Sequence, residues 1–130
     1  MARHALLSAS SSHRWIHCPP SIRLGEKYEN RGSEYAAEGT EAHLLCEYRL
    51  KQMLGIDMED PVPGLQYYSK EMEANAEGYA QYVMEIYEKA KESCEDPIVL
   101  IEQQVSYEKW VRDGFGTADA LVVADGTLHV

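Results

Sequence analysis

An α/β fold class, on the border of α+β, follows from three observations in this chain of 130 residues. Two long stretches of its first three quarters repeat apolar residues at helical spacing. Residues 98–107 open with four consecutive apolar side chains in a strand-forming run. Residues 118–124 and 127–130 then flank Asp125-Gly126, a preferred two-residue hairpin turn. Helices first and strands afterwards specify helices beside an antiparallel three-strand meander, with 1–97 mainly helical and 98–130 the meander.

The opening segment, to Leu24, reads as short helices. Ser8 to Ser12 offer caps before His13-Arg-Trp-Ile-His17, Pro19-Pro20 breaks the run, and Ser21-Ile-Arg-Leu follows. Trp15 and Ile16 read as packing residues. A helix is expected from about Ser33 or Thr40 to Leu54, closed by Gly55, with Ala42, Cys46, Leu50, Met53 and Leu54 on its buried face. His43 lies at the edge of that face, where it is either the partner of Glu47 one turn on or a metal ligand. Residues 57–68, with Pro61, Pro63 and Gly64, form a loop. Ser69 caps a long helix running to about Cys94, whose stripe is Met72, Ala76, Tyr79, Ala80, Val83, Tyr87 and Ala90.

Glu102 lies mid-strand after four apolar residues, pointing either to solvent or into a polar site. In the hairpin, Ala124 faces Thr127 and Val122 faces His129, and strand alternation gives Asp119, Leu121 and Val123 one face. A carboxylate at the head of an apolar row is costly to bury without a partner or a cation. The same arithmetic sets Asp119 opposite a position two residues past Val130.

Composition narrows the class. With 45% hydrophobic and 26% charged residues, the chain suits one globular domain or part of one. Cys18, Cys46 and Cys94 are odd in number and widely spaced, which disfavours a disulfide framework or a self-contained zinc site. The absence of a membrane-spanning apolar run and of a secretory core points to a cytoplasmic protein with no membrane partner. The net charge of −10 is uneven: residues 57–96 hold eleven acids against three lysines, whereas Arg3, Arg14, Arg23 and Lys27 precede Tyr28 with Glu26 the one acid. An acidic chain repels nucleic acid at long range, so nucleic-acid contact requires the basic end, a further segment or a bridging cation.

The Ser-rich helix before Cys18-Pro19, Gly39-Thr40-Glu41-Ala42-His43 on a helix, Glu102 on a strand and Gly116-Thr-Ala-Asp119 opening the next strand match one pattern. Together they resemble the amino-terminal part of a RecB/AddB-like nuclease domain of the PD-(D/E)XK superfamily, in a phage- or prophage-associated branch. The resemblance implies a restriction-endonuclease-like core, with residues 1–130 forming one incomplete nuclease-like domain. It also implies metal-dependent hydrolysis of DNA phosphodiester bonds, of RecB-like exonuclease type, using Mg²⁺ or Mn²⁺. On that pattern His43 and Asp119 bind the metal, and Asp119 and Glu102 are the catalytic acids. A further acid and a lysine two residues later, the Asp/Glu-x-Lys element, would fall past Val130, so residues 1–130 alone are expected to be inactive.

Some relatives carry an iron–sulfur cluster on one amino-terminal and three carboxyl-terminal cysteines. Only Cys18 fits that arrangement, so no cluster is expected. The alternative reading is a non-catalytic acidic interaction or scaffold domain of phage origin. The short third strand leaves an apolar sheet edge through which copies of the chain are expected to pair.

Overall fold

A computed structural model describes residues 5–29 and 31–130. Among them are four α-helices and an open antiparallel sheet of three strands: α1 (Ser12–His17), α2 (Ser21–Gly25), α3 (Glu34–Met53), α4 (Lys70–Ser93), β1 (Ile98–Ser106), β2 (Phe115–Ala124) and β3 (Thr127–His129). Short 3₁₀ turns precede α1 at Ala9–Ser11 and interrupt the α3–α4 loop at Val62–Gly64. The chain packs as two compact units, one of Met1–Arg31 with Gln103–Ala118, the other of Gly32–Glu102 with Asp119–Val130.

In the larger unit, both long helices begin on serine. The Ser33 hydroxyl accepts from Ala36 N at 3.1 Å, and the Ser69 hydroxyl accepts from Met72 N at 3.1 Å, so each satisfies an amide that the first helical turn leaves without a partner. Of the two starts considered for α3, Ser33 is the one used, and Gly55 closes the helix in the left-handed region at φ 73°.

The core of this unit has two clusters. Leu45, Met72 and Ala76 pack with half-buried Ala42, Cys46 and Tyr48, while Leu50, Ala80, Val83 and Ala90 meet Val122 and Ala124 of β2. Leu45 and Leu50 are wholly buried, each contributing about 1.5–3 kcal/mol relative to exposure. The α4 stripe is the expected one, with Tyr79 and Tyr87 half-buried at its rim. On α3 the expected Ala42, Cys46, Leu50 and Leu54 all pack on the core, Leu45 joins them wholly buried, and Met53 alone of the expected face is exposed.

Polar clamps fix the long helices. Arg49 Nε donates to Glu73 Oε1 at 2.6 Å, and the Tyr68 hydroxyl donates to the other oxygen of Glu73 at 2.9 Å. Glu41 accepts from the backbone amides of Gln66 and Tyr67, at 3.0 and 2.7 Å, and so ties the incoming loop to α3.

The hairpin has the expected register, Val122 opposite His129 and Ala124 opposite Thr127. Asp125 and Gly126 have φ of 47° and 71°, both positive as a type I′ turn demands. The core row of β2 is Ala120, Val122 and Ala124 rather than the row headed by Asp119. The small side chains of that row and Val99 and Ile101 of β1 pack on the helical core, which leaves Asp119 exposed.

In the smaller unit, the indole nitrogen of Trp15 donates to Ser8 O at 2.9 Å, while Ile16, expected to pack, is exposed. The serines before α1 bond to one another and to backbone instead of capping it: Ser11, its N-cap, makes no side-chain cap bond.

Candidate metal centre

The larger unit draws together three side chains distant in sequence. His43 projects from the third turn of α3, Glu102 from β1 and Asp119 from β2, and one ligand atom from each lies within 4.8 Å of the others. His43 Nδ1 stands 3.6 Å from Asp119 Oδ1, with the two side chains 65% and 55% exposed. The alternative pairing of His43 with Glu47 does not form, because Glu47 binds Lys51 one turn further along α3.

The His43–Asp119 separation suits a small divalent cation. Two oxygen or nitrogen ligands about 2.1 Å from such an ion are about 3.0 Å apart at a right angle and about 4.2 Å apart when opposite. The 3.6 Å of the His43–Asp119 pair falls between these limits. An imidazole with two carboxylates is a mixed set, the carboxylates suiting Mg²⁺ or Mn²⁺ and the imidazole favouring a transition metal.

Glu102 carries an unusual backbone. Its φ of 50° is left-handed, a region that costs an ordinary L residue about 1–2 kcal/mol. The carboxyl group is raised above its ordinary pKa of 4.5, first by partial loss of water and then by the negative charges of Asp119 and Glu47; His43 and Lys51 oppose the shift. Strain and like-charge repulsion therefore meet at one residue.

Two neutral groups share this environment. Burial, assisted by the Asp119 carboxylate, holds the Cys46 thiol above its ordinary value. Tyr79 on α4 is pushed up to about 12, by burial first and then by Asp119, Cys46 and Glu102. Both stay protonated at neutral pH, so neither adds an anion to the cluster.

The sequence pattern anticipated His43, Glu102 and Asp119, and all three come together. Cys46 lies one helical turn after His43, a spacing that places it near the same side, but Tyr79 comes from a helix whose pairing with α3 no short motif declares. The three cysteines are free thiols, Cys18 exposed and the other two half-buried. No described helix is long and apolar enough to cross a membrane.

No solved structure matches the chain. A family profile described as "Protein of unknown function (DUF2800)" matches residues 4–130, nearly the full length, and the chain therefore belongs to the DUF2800 family.

Proposed function

We propose that the chain carries the metal-binding part of a divalent-cation-dependent nuclease. The observation that carries this reading is the convergence of His43, Glu102 and Asp119 from three separate elements, with Glu102 held in a strained backbone and repelled by Asp119. A carboxyl group whose pKa is raised by loss of water and by a neighbouring carboxylate, on a strained backbone, is a physical pointer to a functional site. The resemblance of the Gly39–His43 and Gly116–Asp119 segments to RecB/AddB-like nucleases supplies the reaction class.

His43 would bind through a neutral imidazole nitrogen, and Asp119 and Glu102 through ionised carboxylates. A divalent cation held there supplies charge neutralisation to a phosphodiester and promotes ionisation of water, both needed for attack at phosphorus. Tyr79 and Cys46, both raised above their ordinary pKa, stay neutral beside the cluster and so add no competing charge. Cleavage is assigned to a chain that also carries the Asp/Glu-x-Lys element, which residues 1–130 do not contain.

The test is Mn²⁺ titration followed by calorimetry and thermal unfolding. The chain should bind one Mn²⁺ and unfold at higher temperature, and His43→Ala or Asp119→Ala should remove both effects while leaving the metal-free unfolding transition in place. Indifference of the unmodified chain to Mn²⁺ would favour the second reading, an acidic scaffold, which the 18 acidic against five basic side chains of the larger unit support.

A further inference from the structure

The smaller unit contains a loop that the metal centre does not use. Residues 107–114 connect β1 to β2 and are held by backbone bonds: Tyr107 N donates to Gly114 O at 2.9 Å, Trp110 N and Val111 N both donate to Tyr107 O at 3.0 Å, and Gly114 N donates to Val111 O at 2.9 Å. The Tyr107 hydroxyl lies within hydrogen-bonding distance of both Leu7 O and Phe115 O, at 3.2 and 3.0 Å. Gly114 is buried against the Tyr107 ring, where an added Cβ would stand 2.5 Å from ring carbons and 2.7 Å from the Val111 carbonyl oxygen. Only glycine permits this approach, and the loop is preformed.

What this frame displays is unusual. Trp110 is 76% exposed, although the indole is the side chain with the most apolar area to gain from burial. Lys109 Nζ stands 5.4 Å from the Trp110 ring centroid, and the Arg112 side chain is almost fully exposed, its nearest acid Asp113 at 3.7 Å. The unit carries seven basic against four acidic side chains, a net of +3 with histidine neutral, within a chain of −10. Arg14, Arg23 and Lys27 are exposed in the same unit.

We propose that the 107–114 loop is a landing platform for single-stranded nucleic acid, on which Trp110 stacks against an unpaired base while Lys109 and Arg112 pair with the flanking phosphates. This rests on the nuclease reading and narrows it to the form of the substrate. A flat ring flanked by cations fits a strand with accessible base faces, whereas a duplex hides those faces within its stack. Within the loop Glu108 and Asp113 balance Lys109 and Arg112, so the net +3 of the unit comes from its other residues. That unit-wide charge offsets the repulsion expected of an acidic chain, which screening confines to about 10 Å at 0.1 M salt.

The experiment is fluorescence anisotropy of labelled oligothymidylate and oligouridylate, with a duplex of mixed sequence as comparison, in EDTA so that binding is read without the metal centre. At least one strand should bind more tightly than the duplex. Trp110→Ala should weaken that binding roughly 5- to 150-fold, while Trp110→Phe retains most of it. Lys109→Ala and Arg112→Ala should each lower the slope of log affinity against log salt by about 0.7. Binding of thymidylate alone, uridylate alone or both identifies the sugar the platform accepts.

Absence of strand binding, or equal binding by Trp110→Ala, overturns the platform. Trp110→Ala removes an exposed ring, so circular dichroism and Mn²⁺ stabilisation should match the unmodified chain. If Mn²⁺ stabilisation is present and strand binding absent, the platform alone fails; in the converse case the metal reading alone fails.

Discussion

Glu102 concentrates the opposing demands on this protein in one side chain. Its pKa is raised in the folded chain, so folding favours the protonated form. The stabilising contribution of that proton is fully present below the ordinary value of 4.5 and is lost as pH rises through the higher folded value. At neutral pH the ionised group weakens the metal-free fold. Glu102→Gln, which cannot ionise, should therefore unfold at higher temperature than the unmodified chain at neutral pH, and the difference should shrink as the pH falls below the glutamate range. The same variant should bind Mn²⁺ more weakly, because it replaces an anionic ligand with an amide. Thermal unfolding across pH, with and without Mn²⁺, checks both arms; a variant no more stable than the parent at neutral pH would remove the repulsion argument. The identity of Glu102 was legible as an acid in a strand, but its left-handed backbone was not. Strand propensity describes an extended residue, and a departure from it at one position is imposed by tertiary packing that a single sequence does not display.

At the scale of elements, the turn chemistry was the most readable feature and the helix faces less so. Asp125-Gly126 fixed the hairpin register because only residues tolerant of positive φ suit a type I′ turn, and Ser33 and Ser69 marked helix starts for an equally local reason. The face of α3 depends on its partner, and helical spacing alone admitted Met53 where packing selected Leu45. Glu41 passed unnoticed as a structural residue, although it stands inside the segment that drew attention to His43. Its carboxylate receives two backbone amides of the loop before α4, so Glu41→Gln replaces two charge-assisted bonds by at most one neutral acceptor. The expected loss is roughly 1–3 kcal/mol in chemical denaturation. Hydrogen exchange should locate the change at Gln66 and Tyr67, and unchanged protection there would show that the clamp is not what orders the loop.

Across the whole molecule, charge is divided between the two units. The smaller carries +3 and the larger −13, which together give the net −10. Self-repulsion among the acids of the larger unit opposes its compact state, and monovalent salt should raise its unfolding temperature by screening. A divalent cation acts in two ways that this prediction separates. Diffuse screening by Mg²⁺ or Mn²⁺ should saturate once monovalent salt is high and should be the same in His43→Ala, since one side chain barely alters a net charge of −13. Site binding should persist at high monovalent salt, disappear in His43→Ala, and follow the mass-action increment in which stabilisation grows with the logarithm of ligand concentration above the dissociation constant. Imidazole in the donor set further requires Mn²⁺ to exceed Mg²⁺ at equal concentration, an ordering that screening by two ions of the same charge does not produce. Equal stabilisation by the two metals, unaffected by His43→Ala and abolished by monovalent salt, would assign the entire effect to the acidic surface and leave the His43–Glu102–Asp119 cluster without a bound cation.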